Sequence, residues 1–434
     1  MKVDEQRDLQ ERVYQAKFGE ASPKTIFEIS CGTSVTNIEA ADHVTDEKQF
    51  KEEDLMISPS IAEEGAPLLD ISIADQANKE SFSYSIPPIA IFWNENCVKH
   101  EIRHHPEQPL RVKHMLKRLQ EVYPSSCFRV ASPISPENIL RFHDKDMLDD
   151  FFHRCEDTEK RRGRGKSGLS MIDGDTVVMS ETRQAALCAA GAVVDAVDAI
   201  YRPSSQAVKA AFCCVRPPGH HAERARSMGF CFLNNAAIGA KYAQQVYGVE
   251  RVAVIDFDVH HGNGTEEGFL DDPTLFYGST HEKDNFPGTG AEPKLKGELS
   301  MRDIDRRIVN RYLHAGLESK EEFRVKWREV IDEMILFKPN LMIISAGFDA
   351  HYADPLGNCA LDELDYEWAT DIVMEACGEI DQKRPPPVIS VLEGGYDIEA
   401  IASSALVHVA ALAKDRGPSK VDDILALRLK NMQL

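Results

Sequence analysis

Short runs of apolar residues recur from about residue 88 onward, separated by stretches with helical spacing. Their hydrophobicity is continuous rather than alternating, which indicates strands buried on both faces. The apolar positions of 180–201 and 323–337 repeat as in amphipathic helices. Strand–helix alternation of this kind predicts an α/β fold, a multi-stranded parallel sheet sandwiched by helices. The predicted strands are 89–93, 211–215, 252–255, 275–277, 341–344 and 388–392.

The first 85 residues have a different pattern, in which short apolar patches are set among polar runs. They contain 8 Lys and Arg against 18 Asp and Glu, and so carry −10 of the net charge of −21. We predict an acidic N-terminal extension over residues 1–87, loosely ordered or packed on the main domain. A helix is predicted within it between about residues 4 and 18.

The composition of the 434-residue chain excludes several functions. A net charge of −21 argues against nucleic-acid binding as the main activity, because such proteins present a basic face. No run of 18 or more apolar residues occurs, so we expect no membrane span. The acidic N-terminus lacks a signal-peptide pattern, and ten cysteines without CxxC pairs indicate reduced thiols. We therefore expect a protein of the nucleus or cytoplasm that is not secreted.

Polar clusters follow four of the predicted strands. In an open parallel sheet, ligands bind beyond the carboxyl ends of the strands, so we expect the four clusters to converge on one edge. These clusters are RPPGHH at 216–221, DFDVHHGNG at 256–264, GFD at 347–349 and EGGY at 393–396.

Asp258 and His260 are two residues apart at the end of a predicted strand, and their side chains therefore point to the same side. Asp349 follows a different strand. Two carboxylates and one imidazole suit Zn²⁺ and leave a coordination position for water or substrate. The competing interpretation is a solvated Asp258 and an ordinary core histidine; the other three clusters on the same edge favour the metal site.

His220 and His221 offer two adjacent bases for hydrolysis, which needs one group to activate water and one to protonate the leaving amine. Asp256 is predicted to orient one imidazole by accepting its ring N–H. The hydroxyl of Tyr396, after two glycines, is placed to donate to an oxyanion. The alternatives without a catalytic role are an ordinary loop for the histidine pair and a turn for the tyrosine.

Six motifs together resemble the zinc-dependent histone deacetylase family, nearest its class II members. The match runs in order from about residue 88 to 415, and the resemblance makes 88–434 the deacetylase catalytic domain, with the arginase–deacetylase fold. It implies that Asp258, His260 and Asp349 are the zinc ligands. The motifs are RPPGHHAE at 216–223, GFCFLNN at 229–235, DFDVHHGNGT at 256–265, FPGTG at 286–290, SAGFDAHYADPLG at 345–357 and LEGGY at 392–396.

The resemblance also implies roles for the catalytic residues. His220 and His221 form the catalytic pair, with His221 preferred as general base and acid. Asp256 supports His220, and Asn263 stands where class I members carry an aspartate beside the second histidine. Class II members also have asparagine there, so the resemblance implies an altered pKa rather than lost activity. Tyr396 matches the catalytic tyrosine.

The substrate and ion sites follow from the same resemblance. Phe230 and Phe286, with Gly229 beside them, match the aromatic walls of a tunnel for the apolar stem of an acyl-lysine. Leu356 matches the gate of the pocket. A structural potassium ion is implied at Asp256, Asp258, His260, Ser279 and Thr280, partly through backbone oxygens.

The implied reaction is zinc-dependent hydrolysis of acetyl-lysine side chains in proteins, histone or other, which releases acetate and free lysine. The implied partner is an acetylated protein or peptide, without direct nucleic-acid or membrane binding. Membership of a multiprotein complex stays open.

Three alternatives are weighed against this reaction. Arginase-type chemistry uses two manganese ions, but Gly262 and His351 stand where the second ion needs carboxylates. An acetylpolyamine amidohydrolase places a glutamate at the gate, where this chain has Leu356. A weakly active scaffold in a regulatory complex is disfavoured by the intact ligands and Tyr396.

Two short motifs are interpreted as coincidental. HEIRH at 100–104 has the zinc-peptidase spacing HExxH, but it follows a strand closely and is not expected to be helical. GRGKS at 163–167 lacks the leading glycine and preceding strand of a P-loop. Its surroundings are predicted to be an exposed loop, with the five cations between Lys160 and Lys166 as a candidate nuclear-import patch or contact for acidic partners.

Overall fold

The structure, a computed structural model, describes residues 89–203, 208–290 and 306–413. This part contains an eight-stranded sheet in which every pairing is parallel, which confirms the predicted α/β class. The strands are β1 (Ile89–Trp93), β2 (Phe128–Val130), β5 (Ala210–Cys213), β6 (Val252–Asp256), β7 (Leu275–Glu282), β8 (Ile308–Leu313), β9 (Leu341–Ala346) and β10 (Val388–Leu392), with a separate antiparallel pair of β3 (Ser170–Met171) and β4 (Val177–Val178).

Helices cover both faces of the sheet. One apolar core holds side chains of four helices, Leu110–Val122, Ser319–Phe337, Glu363–Ile380 and Ile398–Ala413, against one face. A second core holds those of three helices, Lys145–Arg162, Thr182–Tyr201 and Asn235–Tyr247, against the other. The sandwich expected from sequence is therefore present. The helices are α1 (Leu110–Val122), α2 (Pro136–Ile139), α3 (Lys145–Arg162), α4 (Thr182–Tyr201), α5 (Asn235–Tyr247), α6 (Asn263–Phe269), α7 (Ser319–Phe337), α8 (Glu363–Ile380) and α9 (Ile398–Ala413), with short 3₁₀ turns at Glu95–Val98 and Ser125–Cys127.

Local chemistry sets several of these boundaries. Helix α5 begins after Asn234, whose side chain accepts the N–H of Ala237 across 2.9 Å, and ends at Gly248 in the left-handed conformation. Strand β7 is longer than the predicted 275–277 because it continues through the polar residues Ser279–Glu282, all of them buried. A hydrophobicity pattern cannot register buried polar residues as strand.

The order of the strands positions the site. Across the sheet it is β2-β1-β5-β10-β9-β6-β7-β8, so β10 and β9 lie between β5 and β6. These four adjacent strands are the ones followed by the four polar clusters. The predicted convergence on one edge is therefore found, at the point where the chain order reverses.

Helix α4 (Thr182–Tyr201) is long and apolar enough to span a membrane by length and composition, but 61% of its apolar window is buried in the fold. It packs on α5 and the sheet, as core helices do. The nine cysteines of the described residues are all buried. The predicted extension over 1–87 and its helix lie outside the described residues.

Candidate active site

The three expected zinc ligands lie together at this edge. Nδ1 of His260 is 3.1 Å from Oδ1 of Asp258 and 3.1 Å from Oδ2 of Asp349, and all three side chains are buried. Among the described residues, they form the one group of His, Cys, Asp or Glu side chains close enough to hold a metal ion, with donor atoms within 4.8 Å of one another. Asp349, 89 residues away in the chain, reaches the others because β9 pairs with β6.

The surroundings orient one oxygen of each carboxylate toward this centre. The N–H of Gly394 donates to Oδ2 of Asp258 across 2.7 Å, and the N–H of Val259 donates to Oδ1 of Asp349 across 2.8 Å. The backbone approaches so closely that a Cβ on Gly394 would lie 2.0 Å from Oδ2 of Asp349. A mixed set of one nitrogen and two oxygen donors, held from outside by amides, fits a zinc ion.

The electrostatics of the three ligands also favour a cation. Burial raises the pKa of Asp349 to about 6, and the neighbouring charge of Asp258 adds to this effect. Burial opposes charging of His260, but hydrogen bonds to both carboxylates outweigh it and raise its pKa well above the usual range. Two carboxylates crowded away from water need positive charge between them, which a divalent ion would supply.

His220 and His221 stand beside the ligands with different partners. Nδ1 of His220 is 3.0 Å from Oδ2 of Asp256, whereas Nδ1 of His221 is 2.9 Å from Oδ1 of Asn263. The ring centroids of the two histidines are 4.0 Å apart. Both pairings expected from sequence are therefore present in the fold.

These partners separate the two histidines in acidity. Burial disfavours the charged form of His220, but Asp258 and Asp256 outweigh it and raise its pKa to about 10. Burial lowers the pKa of His221 well below its usual value, and the charge of His220 lowers it further. The surroundings thus favour the charged form of His220 and the neutral form of His221, a division of the kind that acid–base catalysis requires.

Tyr396 follows β10 through two glycines, and Gly395 has a φ of 112°, a backbone conformation that glycine accepts readily. The tyrosine ring lies edge-on to Phe230 at 5.9 Å, and the guanidinium of Arg111 lies 4.8 Å from its centroid. Burial raises the pKa of Tyr396 well above its usual value. Its hydroxyl therefore stays protonated at neutral pH and can donate a hydrogen bond.

The expected tunnel residues border the same site. Phe286 lies edge-on to His221 at 5.0 Å, and Phe230 contacts Tyr396 on the other side. Gly229 lies against His221 and Phe286, since a Cβ there would be 2.7 Å from Cδ2 of His221 and 2.8 Å from Cε1 of Phe286. Phe230 itself has a φ of 66°, an unfavourable conformation for a non-glycine residue, and its N–H donates to Thr176. The ring of Phe286 also lies 6.3 Å from that of His260, so this aromatic side chain is beside the candidate ligands.

Leu356 lies on the loop after β9 and is joined to the Phe286 loop by a long hydrogen bond, 3.5 Å from Nδ2 of Asn285 to the carbonyl of Leu356. Its side chain is half-buried. The structure therefore places Leu356 on the loop that faces Phe286.

The residues of the expected potassium site are also neighbours. Asp256 and Ser279 are directly paired in the β6–β7 ladder, and Asp258 and His260 follow β6. The hydroxyl of Ser279 is 2.9 Å from Nδ1 of His281. Because Ser279 and Thr280 are consecutive in a strand, their side chains face opposite sides of the sheet. An ion that contacted both residues would therefore need the backbone oxygen of at least one of them.

Sequence reasoning missed three groups of supporting residues. Glu393 is buried, and its Oε2 accepts the N–H groups of Gly219 (2.6 Å) and His220 (3.1 Å). Asp354 accepts the N–H groups of Tyr396 and Leu356. The third group is a buried ion network of Glu107, Arg111 and Arg216. A carboxylate at a strand end was the available signal for Glu393, and the four-residue spacing of Glu107 and Arg111 was the signal for the network.

The two coincidental motifs lie outside the site, as expected. Residues 100–104 form no helix, and His104 is exposed with a φ of 59°. Nδ1 of His100 is instead 2.9 Å from the hydroxyl of Thr182. The stretch 163–167 follows the end of helix α3 (Lys145–Arg162) rather than a strand, and no helix begins there.

Comparisons with known proteins agree with this geometry. The sequence profile of the histone deacetylase domain matches residues 105–412. Histone deacetylase 14, chloroplastic, of Arabidopsis thaliana is 34% identical over 72% of this chain and 74% of its own. Type-2 histone deacetylase 2 of Dictyostelium discoideum is 32% identical over 82% of this chain and 22% of its own.

A solved structure extends the agreement to the fold. The crystal structure of the HDA15 HD domain superposes with a TM-score of 0.64 at 29% identity, and the match covers 80% of this chain and 94% of that one. The profile match spans the strands and loops that carry every candidate site residue, and the relatives support deacetylation by hydrolysis as the general activity. The chain therefore belongs to the histone deacetylase family.

Proposed function

We propose that this protein is a zinc-dependent hydrolase of acetyl-lysine side chains in proteins, of the class II type. The observation that carries the proposal is one arrangement: Asp258, His260 and Asp349 converge on one point beside the neutral imidazole of His221. Tyr396 and two aromatic rings border the same space. A bound Zn²⁺ would polarise the acetyl carbonyl and acidify a water molecule.

The residues of the chain supply the remaining steps. His221, as a free base, takes a proton from the attacking water, and it returns a proton to the lysine nitrogen as the amide bond breaks. The hydroxyl of Tyr396 donates a hydrogen bond to the oxygen that gains negative charge. His220, charged and held by Asp256, adds a fixed positive charge next to the reacting atoms. Acetate and the free lysine amine are the products.

The choice of substrate rests on apolar contacts. Phe230 and Phe286 offer ring surfaces for the four-carbon stem of a lysine, and Leu356 places an aliphatic group where a polyamine-specific enzyme needs a carboxylate. An inner ammonium group would lose its hydration beside Leu356 without gaining a counter-charge. An acylated lysine of a protein or peptide is therefore the favoured substrate over an acetylpolyamine.

Two-metal chemistry of the arginase type is disfavoured by the packing at the position that needs a second carboxylate. A Cβ on Gly262 would lie 2.4 Å from Oδ2 of Asp256 and 2.7 Å from the hydroxyl of Tyr277. His351 is buried, and its Nδ1 accepts the N–H of Ala353. Neither position has a carboxylate, and Gly262 has no room to acquire one without rearrangement, so we propose one catalytic ion and a separate structural potassium ion.

The test measures release of acetate from an acetyl-lysine peptide by the full chain, as purified, after removal of metal with a chelator, and after return of Zn²⁺. We expect activity to disappear and to return, with one zinc bound per chain. The same assay on acetylspermidine distinguishes the polyamine alternative. Zinc bound without turnover of either substrate would favour the scaffold.

Whether the protein resides in the nucleus or the cytoplasm is tested separately, with a fluorescent fusion of the full chain.

A further inference from the structure

The side-chain amide of Asn263 has a hydrogen-bond partner on each of its two ends. Its Oδ1 is 2.9 Å from Nδ1 of His221. Its Nδ2 donates to Oε1 of Glu223 across 2.8 Å and lies 3.4 Å from the sulfur of Met228, a weak acceptor. Asn263 is buried, so these partners rather than bulk water decide which way its amide faces.

The carboxylate of Glu223 fixes that choice because it can only accept hydrogen bonds. If the amide turned over, its oxygen would face the oxygen of Glu223 across the same short distance and the two would repel each other. The amide therefore presents Nδ2 to Glu223 and Oδ1 to His221. Since Oδ1 can only accept, Nδ1 of His221 carries the hydrogen, and Nε2 is left with its lone pair.

We propose that Glu223 is a positioning residue that sets the tautomer of His221 through Asn263. The proposal rests on the function proposed above, in which His221 is the base that needs a free nitrogen. Glu223 touches neither ligand nor reacting atoms in this scheme. It acts by making the base-ready tautomer the favoured one.

The surroundings hold Glu223 in place for this task. Its N–H donates to the carbonyl of Arg226 across 2.9 Å, and the guanidinium of Arg226 donates to Oε1 across 3.1 Å. The same carboxylate oxygen thus accepts hydrogen bonds from both Arg226 and Asn263. The other histidine needs no such arrangement, because Asp256 is a carboxylate and presents an acceptor to His220 whichever oxygen faces it.

This difference between an amide and a carboxylate gives a double-mutant test. In the natural chain, Glu223→Ala removes the group that orients Asn263, so we expect kcat to fall roughly 10- to 100-fold with little change in KM, the usual effect of losing a group that orients a catalytic one. In Glu223→Gln, the donating guanidinium of Arg226 keeps the remaining side-chain oxygen at this place, where it still accepts from Nδ2 of Asn263, so the variant should retain most of kcat. In an Asn263→Asp background, residue 263 presents an acceptor oxygen to Nδ1 of His221 whichever way its carboxylate faces. Glu223→Ala should therefore cause no further loss of kcat in that background.

All variants are measured as full-length, zinc-loaded protein on an acetyl-lysine peptide, with melting temperatures recorded. Equal loss on Glu223→Ala in both backgrounds would mean that Glu223 only supports the loop and would overturn the proposal. Loss in Glu223→Gln as large as in Glu223→Ala would overturn it as well.

A second readout does not depend on turnover. In protein labelled with ¹⁵N-histidine, NMR distinguishes Nδ1–H from Nε2–H imidazoles, and a His221→Asn variant assigns the signal. We expect His221 to be Nδ1–H in the natural chain and in Glu223→Gln, and to gain Nε2–H in Glu223→Ala. An unchanged tautomer in Glu223→Ala contradicts the inference, whereas an Nδ1–H His221 in a chain without deacetylase activity contradicts only the proposed function.

Discussion

The backbone N–H of Tyr396 donates to Oδ2 of Asp354 across 2.6 Å, although the two residues are 42 positions apart. The same buried carboxylate accepts the N–H of Asp397 at 3.3 Å through Oδ2 and the N–H of Leu356 at 2.9 Å through Oδ1. One side chain therefore joins Tyr396 to the loop that carries Leu356, and a shift of either backbone segment would disturb these hydrogen bonds.

The first prediction concerns this carboxylate. Asp354→Ala leaves three backbone N–H groups without their acceptor, and each buried donor costs about 1–3 kcal/mol. We expect a lower melting temperature and, in the fraction that folds, a kcat reduced by about tenfold or more, since small displacements of reacting groups have effects of this size. Asp354→Asn, which keeps one acceptor, should lie between. Steady-state kinetics and thermal melts measure both effects.

The matched control for the two Asp354 variants is Asp381→Asn. Asp381 also accepts two backbone N–H groups, those of Lys383 and Arg384, but it lies in an exposed loop away from the site. Its substitution should leave kcat unchanged. A normal kcat in Asp354→Ala would show that Tyr396 is held by other contacts.

The second prediction separates steric contact from backbone strain. Gly229 and Gly248 both have left-handed backbones, with φ of 57° and 68°. An added Cβ meets His221 and Phe286 at Gly229 but no atom within 4 Å at Gly248. We expect Gly229→Ala to lower kcat/KM about 100-fold by displacing the imidazole. Gly248→Ala should cost about 1 kcal/mol of stability and leave kcat/KM unchanged.

Deacetylation assays and urea titrations on the two alanine variants provide the comparison. Equal effects of both substitutions on kcat/KM would mean that strain, rather than contact with His221, decides the outcome at Gly229.

The third prediction concerns the buried ion network. Oε1 of Glu107 accepts from Arg111 at 2.8 Å and from Nε of Arg216 at 2.7 Å, and all three side chains are buried. Removing the single acid leaves two buried cations, so Glu107→Gln should destabilise the protein by about 3–5 kcal/mol. Glu95→Gln is the control, because its ion pair with Lys99 has the same four-residue spacing but is exposed.

The pH dependence of this effect has a defined sign. Burial opposes ionisation of Glu107, but Arg216 and Arg111 outweigh it and hold its pKa well below the usual value. Its stabilisation is therefore present above the pKa of the unfolded chain, about 4.3, and is lost as the pH falls below it. Urea unfolding measures the difference in free energy of unfolding between the natural chain and Glu107→Gln. This difference should be largest near neutral pH and smaller below pH ~4. A difference that grows on acidification would contradict the network's role.

The fourth prediction tests the gate. Leu356→Glu places a carboxylate where the inner ammonium of a polyamine would lie, and a charged hydrogen bond there is worth about 1.5–3 kcal/mol, or about tenfold or more in kcat/KM. We expect kcat/KM to rise for acetylspermidine and to fall for the acetyl-lysine peptide. Leu356→Gln, of similar size but neutral, should not improve acetylspermidine. No change in the ratio of the two substrates would place the gate elsewhere.

The sequence by itself determined much of this protein. Continuous apolar runs predicted the buried parallel strands, because a strand covered on both faces admits few polar residues. The two-residue spacing of Asp258 and His260 predicted a shared direction, because strand side chains alternate. The order of six motifs indicated the family. Strand β8 (Ile308–Leu313), an edge strand with partly exposed polar positions, gave no such signal.

Only the tertiary structure decided the rest. Strands β9 and β10 enter the sheet between β5 and β6, and this insertion brings Asp349 to His260 and Tyr396 to Phe230. Contacts such as Asp354 with Tyr396 join residues that are distant in the chain, and no local pattern encodes them. The direction of the Asn263 amide is likewise set by Glu223 across 40 positions. Spacing determines which side chains can face the same way, whereas hydrogen bonds between distant segments determine which atom each one presents.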